Sequence, residues 1–239
     1  MFYSHAGDFT ARVVGKVCVA FLNTLPESLA MSRSLSFLAV CLLAGFASAA
    51  APNTAPTAPA AGGVLLEESL ATQHGAGWKV AKGDWKFVDG AWQGAELKAD
   101  KHGAVVRHNV VFTDAVIEFD FQLEGAKAIS FSINDPKGHN SRLGITPAGL
   151  RLTKDDHDHA GPDKAAVVAT LQTKLETGRW YHVRMTQVGP EFSAQVGEHT
   201  LSGKHADIAV AKSNIGFTVS GEMASFKNLK ITALPAAAK

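Results

Sequence analysis

The sequence predicts an all-β protein, a jelly-roll or sandwich of many short antiparallel strands in a single domain. Apolar and polar residues alternate with a period of two from Trp78 towards the C-terminus. Turn-forming residues recur about every 8–12 residues, and no long stretch has helical periodicity. The closing segments 215–219 and 224–231 repeat the pattern, with glycine and polar residues between them. Short, regularly spaced strands of this kind are typical of sandwiches and barrels.

Individual strands follow from the same alternation. Residues 115–123 alternate large apolar and polar side chains, and residues 128–134 do the same. Asp89 and Gly90 separate two short strand patterns, and this dipeptide is typical of a tight hairpin. Residues 165–171 are apolar and fit either a strand or a short helix. About 175 residues of this character are enough for one domain with a sizeable core.

Residues 31–49 have the parts of a secretory signal peptide. A basic residue follows Met31, an apolar run comes next, and a small-x-small site ends the segment at Ala49. The apolar run is too short to cross a bilayer, which takes about 20 residues. We therefore expect a secreted or periplasmic protein, with no membrane insertion once the signal is removed.

The segments around this signal define the predicted domain boundaries. Residues 1–30 are interpreted as an upstream mis-start or an extended leader, although residues 13–22 could instead form a real amphipathic segment. Residues 50–63 are rich in Ala, Pro and Thr and contain no charge. This composition is typical of a disordered linker. The folded domain is predicted to span residues 64–235.

Cysteine content and charge exclude several kinds of site. Cys18 and Cys41 both lie in the predicted leader. The exported domain would therefore have no thiol for a disulfide, a zinc site or a nucleophile. The formal net charge is +1, and the basic residues are scattered. Nothing in this distribution indicates a nucleic-acid partner, and the sequence leaves the oligomeric state open.

Alternation also collects many polar side chains opposite the predicted core. A sheet face with hydroxyl, amide, carboxylate and guanidinium groups beside an aromatic ring offers what a sugar needs, namely directional hydrogen bonds and a stacking surface. Carbohydrate is therefore the predicted partner, and the alternative is a solvated outer face with the tryptophan in the core. The candidate substrate-binding residues are Glu118, Asp120, Gln122, Asn134, Arg142, Arg151, Trp180, His182 and Arg184.

One loop, residues 154–163, concentrates four Asp and two His side chains. Its candidate catalytic residues are Asp155, Asp156 and His157, because carboxylates and imidazoles near a binding face can exchange protons with a substrate. The same loop could hold Ca²⁺ or another divalent metal. Its spacing matches no established metal loop, so a solvated charged loop is the alternative. The candidate metal ligands are Asp155, Asp158, His157 and His159.

The C-terminal part of the chain resembles a known family. Trp180 leads a hairpin that turns at Gly189, and the chain closes with Ile215-Gly216-Phe217 and Phe226-Lys227-Asn228-Leu229. This order is similar to that of the secreted bacterial 3-keto-disaccharide hydrolase domain family, within the concanavalin A-like lectin and glucanase superfamily. The resemblance covers residues 77–233. It implies a concanavalin A-like jelly roll that hydrolyses a glycosidic bond.

Two departures from these relatives bear on activity. Arg151 and Thr153 stand where the family usually has an acidic residue and an amide. Gln122 stands where laminarinase-like members of the superfamily have a third carboxyl group beyond Glu118 and Asp120, and an amide cannot transfer the proton that a glycosidase needs. The resemblance therefore implies a carbohydrate-active protein that is either a glycoside hydrolase or a non-catalytic binding or adhesion module. A purely structural sandwich is the third reading.

Overall fold

The computed structural model describes residues 62–235, and this part of the chain is built almost entirely of β-strands. Fifteen strands and two short 3-10 helices follow one another in it, and the helices are Lys98–Asp100 and Ala206–Ile208. The predicted leader, signal peptide and most of the predicted linker lie outside the described residues, so the predicted domain boundaries stay predictions. Within residues 62–235 no helix is long and apolar enough to cross a membrane.

Eight antiparallel strands form the first sheet, here named sheet A. Its main path, read from one edge to the other, is β13 (His199–Lys204), β12 (Glu191–Val196), β11 (Trp180–Val188), β6 (Ala115–Leu123), β15 (Ala224–Ala233), β4 (Ala91–Ala95) and β3 (Asp84–Val88). The first strand, β1 (Val64–Glu68), pairs with the C-terminal part of β15.

Seven antiparallel strands form the second sheet, sheet B. Its order is β10 (Ala166–Gln172), β9 (Gly149–Lys154), β8 (Gly138–Thr146), β7 (Ala126–Asp135), β14 (Lys212–Gly221), β5 (Ala104–Phe112) and β2 (Trp78–Lys82). Strands β6 and β7 follow each other in the chain but belong to different sheets. The two layers and their crossovers make a concanavalin A-like jelly-roll sandwich, which confirms the predicted fold class.

The core lies between the two sheets and is built by the predicted alternation. Ile117, Phe119, Phe121 and Leu123 of β6 are all buried. Phe119 meets Phe217 of sheet B edge to face, with ring centroids 5.2 Å apart. Burying one large apolar side chain contributes about 1.5–3 kcal/mol relative to leaving it exposed. The two inner faces together therefore supply the main driving force for folding.

Two local predictions are decided by the structure. Asp89 and Gly90 form the predicted hairpin turn between β3 and β4, and both have positive φ, 50° and 75°. This is the geometry that a two-residue turn needs to match the strand twist. The ambiguous segment 165–171 is a strand, Ala166–Gln172. It pairs only with β9 at the edge of sheet B, which explains why its apolar side chains are half exposed.

Candidate functional site

The polar residues predicted to share one face are divided between the outer faces of the two sheets. The candidates on sheet A are Glu118, Asp120, Gln122, Trp180, His182 and Arg184. The candidates on sheet B are Asn134, Arg142 and Arg151. Because the apolar core separates the two sets, the prediction of a single binding face is wrong. Alternation tells whether a side chain points inward or outward, but it does not tell to which sheet a strand belongs.

The charged groups on the outer face of sheet A are paired with one another. Arg184 Nη1 lies 2.5 Å from Glu118 Oε1. His182 Nδ1 lies 2.8 Å from Asp120 Oδ1, and Asn228 Nδ2 donates to the second oxygen of Asp120 at 2.7 Å. These cross-strand pairs stabilise the sheet as opposite charges on neighbouring strands do. They leave few groups free for a ligand.

The indole ring of Trp180 on sheet A also has a partner within the protein. Trp180 is half-buried, and the Nζ atom of Lys227 lies 3.9 Å from its ring centroid, a cation–π contact. Its strand neighbour Gln122 donates a side-chain hydrogen bond to the Gly178 carbonyl. Trp180 is therefore neither a core residue nor an open stacking platform.

The outer face of sheet B is different, because its centre is made of small residues. One row across the sheet consists of Arg107, Gly216, Ser132 and Arg142, on the adjacent strands β5, β14, β7 and β8. The next row consists of Thr218, Ser130, Gly144 and Arg151, on β14, β7, β8 and β9. Small side chains in the middle and long ones beside them make a low floor with raised sides.

A depression of about 490 Å³ lies over the part of this floor around Gly144, and Arg107, Gly216 and Ser132 lie outside its lining. Its polar lining includes Ser130, Arg142, Thr146, Arg151, Thr170, Gln172, Thr218 and Ser220. Binding sites for small molecules fall in the range of about 300–1,000 Å³. The depression therefore has room for a few sugar units.

Two glycines form part of this floor for different reasons. A Cβ atom at Gly216 would lie 2.5 Å from the Val106 carbonyl oxygen, so a larger residue there would push β5 away. A Cβ atom at Gly144 would have its nearest neighbour, the Arg151 carbonyl oxygen, at 3.8 Å. Gly216 is thus required by packing, whereas Gly144 keeps the floor low at a position where a side chain would fit.

Three arginines surround the floor. Arg142 Nη2 pairs with Asp155 Oδ2 at 2.9 Å. Arg107 and Arg151 make no side-chain hydrogen bond or ion pair with any residue in the range 62–235. Burial, together with the nearby charge of Arg142, lowers the pKa of Arg107, although a guanidinium stays protonated in proteins. The outer face of sheet B is therefore positively charged.

A row of amides and an imidazole continues this face. Asn134 Nδ2 donates to Asn214 Oδ1 at 2.6 Å, and His139 Nδ1 lies 3.1 Å from Asn134 Oδ1. Burial lowers the pKa of His139, and the charges of Arg107 and Arg142 lower it further. His139 is therefore neutral at pH 7. With its Nδ1 proton donated to Asn134, its Nε2 atom is an acceptor.

The sequence did not single out Arg107 or Asn214 as candidate site residues. The available signal for Arg107 was its position between two inward residues of an apolar strand, Val106 and His108. His139 stands beside a β-bulge between β7 and β8, where the simple alternation that would have placed it is interrupted.

The predicted catalytic residues Asp155, Asp156 and His157 are not brought together. Asp155 lies beside Arg142 and accepts a hydrogen bond from the Thr153 hydroxyl at 2.8 Å. Asp156 instead accepts the backbone N–H of His159 at 2.7 Å and so closes a turn of the loop. The three side chains therefore do not converge on one point of the structure.

The third member, His157, bridges two carboxylates beneath the loop. Its Nε2 lies 2.9 Å from Asp135 Oδ2, and its Nδ1 lies 2.7 Å from Asp163 Oδ2. Asp163 also pairs with the buried Lys154 Nζ. Both ring nitrogens must donate in this arrangement, so His157 is a charged clamp that ties the loop to β7 and β9.

The predicted metal ligands Asp155, Asp158, His157 and His159 also have separate partners. Asp158 accepts the backbone N–H of Ala160 at 2.9 Å, and His159 lies on the exposed side of the loop. In the part of the chain that the structure describes, no three His, Cys, Asp or Glu side chains converge as a metal site would require. The arrangement of this loop therefore gives no support to a divalent metal.

Comparison with known proteins extends the description of the fold. No family model and no curated protein matches the sequence. A carbohydrate-binding module, CBM66 from Bacillus subtilis, matches in structure with a TM-score of 0.53 and 16% identity, over 66% of this chain and 96% of that chain. A Bacillus subtilis protein of unknown function with a galectin-like fold matches with a TM-score of 0.56 and 11% identity, over 74% and 100% of the two chains.

A family 7 alginate lyase, A1-II′, matches with a TM-score of 0.51 and 10% identity, over 68% of this chain and 95% of that chain. At such low identities these likenesses establish the fold alone. No family model confirms the resemblance to 3-keto-disaccharide hydrolases, which stays a prediction.

The His157 clamp predicts a pH dependence of stability. Partial burial lowers the pKa of His157, but its hydrogen bonds and ion pairs with Asp135 and Asp163 outweigh this and raise it above the ordinary 6.5. Its contribution is thus fully present below pH 6.5 and is lost as the pH rises through the raised pKa. We expect His157→Gln to cost about 1–3 kcal/mol of unfolding free energy at pH 6, and less at pH 8.

Urea unfolding of both proteins at several pH values from 5 to 8 measures this difference. Lys212, whose pKa is lowered by burial to about 8, titrates in both proteins, so its effect cancels in the comparison. A cost that does not change with pH would show that His157 is held by packing rather than by its charge.

Proposed function

We propose that this chain recognises carbohydrate through the outer face of sheet B. The proposal rests on one observation, namely that the polar groups of the depression are not used by the protein itself. Within residues 62–235, the hydroxyls of Ser130, Thr170, Thr218 and Ser220 make no hydrogen bond. The Gln172 amide makes none either. A sugar ring, which presents hydroxyls in several directions, is the ligand that such a set of groups suits.

The fold neighbours support the same class of ligand. CBM66 is described as a carbohydrate-binding module and A1-II′ as an alginate lyase. Both share the sandwich architecture of this chain, with TM-scores above 0.5. We also propose that the domain acts in the periplasm or outside the cell, on the basis of the signal peptide predicted at residues 31–49.

Binding without hydrolysis is the better supported form of this function. A glycosidase of the usual kind needs two carboxyl groups, about 5–5.5 Å apart for retention or 6.5–9.5 Å for inversion. Asp155, which lies beside the depression, is already paired with Arg142. Glu118 and Asp120 lie on the opposite sheet and are paired there. No free carboxylate pair is therefore available to a sugar on sheet B.

One observation favours a second candidate, hydrolysis of a 3-keto-disaccharide. His139 combines a lowered pKa with a free Nε2 acceptor on the face of sheet B. A neutral imidazole at pH 7 is a common general base. Release of free sugar from a 3-keto-disaccharide by the wild type, but not by His139→Ala, would favour hydrolysis over simple binding.

Binding to a glycan array, followed by titration calorimetry on the best ligand, tests the proposal. We expect Arg107→Ala and Arg151→Ala each to weaken binding by roughly 10- to 100-fold, because a truncated hydrogen bond from a charged donor costs about 1.5–3 kcal/mol. Arg184→Ala is the matched control on sheet A and should bind as the wild type does. The opposite result, with only Arg184→Ala affected, would move the site to sheet A and contradict the proposal.

A further inference from the structure

The charges on the outer face of sheet B are one-sided. Arg142 and Arg151 line the depression, and Arg107 stands at the far end of the floor. Arg107, Arg142 and Arg151 point to the outer face of sheet B, and Lys79 on β2 stands beside Arg107 in the register. Asp155 is the acidic partner that the structure gives to this group, and it neutralises Arg142. The other arginines have no counter-charge in residues 62–235. A neutral ligand would leave this excess of positive charge uncompensated.

The arginines are arranged to meet one ligand from several sides. Arg107 and Arg142 lie in one row and are separated by Gly216 and Ser132. With strands about 4.8 Å apart, three strand spacings put their backbones roughly 14 Å apart. Arg151 approaches from the next row, beside Gly144.

This face also lacks what neutral sugars most often use. In the described residues, no Phe, Tyr or Trp side chain projects from the outer face of sheet B. A neutral sugar ring would therefore gain no aromatic stacking here. Guanidinium groups, in contrast, form two parallel hydrogen bonds with a carboxylate, and such charged hydrogen bonds are roughly twice as strong as neutral ones.

We propose that the saccharide recognised on sheet B is acidic, with carboxylate-bearing sugar units whose negative groups lie among Arg107, Arg142 and Arg151. This inference rests on the proposed function and specifies its ligand. The hydroxyl and amide groups around the floor, such as Ser130 and Gln172, then contact the neutral hydroxyls of the same sugar units. Binding of a carboxylate by positively charged side chains is electrostatic, so it should weaken with added salt.

Calorimetry with a polyuronate oligosaccharide and with its carboxyl-reduced counterpart of equal length tests the inference. We expect the acidic ligand to bind at least about tenfold more tightly at low salt, and to lose most of this advantage at 1 M salt, where the Debye length is about 3 Å. Arg107→Gln and Arg151→Gln should each remove roughly tenfold of affinity for the polyuronate and leave the reduced ligand within about twofold.

Two further variants separate charge from shape. Arg151→Lys keeps the positive charge but not the planar guanidinium group that forms two parallel hydrogen bonds. It should therefore bind the polyuronate more tightly than Arg151→Gln and less tightly than the wild type. Arg184→Gln removes a guanidinium from sheet A and should have no effect. Thermal melting by circular dichroism verifies that each variant is folded, and Arg151 is exposed enough that no loss of stability is expected.

Failure of the acidic-ligand inference and failure of the proposed function give different results. Equal binding of the acidic and reduced oligosaccharides would overturn this inference and leave carbohydrate recognition intact. Binding of a sulfated glycan in preference to the polyuronate would overturn the assignment of a carboxylate. Absence of binding to every glycan, charged or neutral, would overturn both this inference and the proposed function.

Discussion

Replacing Gly144 with leucine is expected to weaken carbohydrate binding by roughly 5- to 150-fold and leave the domain folded. Gly144 lies between Ser130 and Arg151 in the floor of the depression. A Cβ atom there would have 3.8 Å of clearance to its nearest neighbour, so the backbone need not move. The rest of the leucine side chain would fill the space that a sugar ring needs. Removing a glycine from a strand should also make the unfolded chain less flexible and so favour folding slightly.

The size of the effect follows from the cost of overpacking. Forcing extra methylene groups into an occupied space costs about 1–3 kcal/mol, which corresponds to roughly 5- to 150-fold in affinity. Gly144→Ala is the matched control, because a single methyl group fits the available space and should change affinity by less than about threefold. Titration calorimetry together with thermal melting measures both quantities. Unchanged binding by a folded Gly144→Leu protein would place the ligand elsewhere.

Replacing Phe217 with alanine is expected to have the largest effect on stability. Phe217 of β14 is fully buried between the sheets. Its ring centroid lies 4.3 Å from Phe226 and 5.2 Å from Phe119 in sheet A, and 5.1 Å from Phe131 in sheet B. The aromatic contacts add to the burial of the ring. Truncation would leave a cavity that four rigid strands cannot close, at a cost of about 3–5 kcal/mol.

Urea denaturation monitored by tryptophan fluorescence measures this loss, with the slope of the transition compared between variants. Val167→Ala is the control, because Val167 on the edge strand β10 is 59% exposed, and its truncation should change stability by less than about 0.5 kcal/mol. A loss below about 1 kcal/mol for Phe217→Ala, with an unchanged slope, would mean that the two sheets do not share one rigid core.

Much of the fold could be predicted because strand alternation is a local property. The inward positions of Ile117, Phe119 and Phe121 follow from a period of two, and all three are buried. The turn at Asp89 and Gly90 follows from the preference of these residues for positive φ. The edge strand β10 was ambiguous because a short apolar run fits a strand and a short helix equally well.

The candidate site was predicted only in part. Arg142 and Arg151 were among the candidate binding residues, and the structure places both at the depression. Trp180 and His182 were grouped with them, but they lie on the opposite sheet. The loop residues Asp156 and His157 suggested catalysis by their composition, yet the structure uses them to hold the loop in place.

The sequence alone determined which side chains point inward, where most turns lie and therefore that the chain folds as a sandwich. Only the tertiary structure decided which outward side chains share a surface. The physical reason is that alternation depends on neighbours along the chain, whereas sheet membership depends on crossovers such as the one between β6 and β7. That crossover separates Glu118 and Asp120 from Arg142 and Arg151. The late strand β14, inserted between β5 and β7, places Gly216 between Arg107 and Ser132.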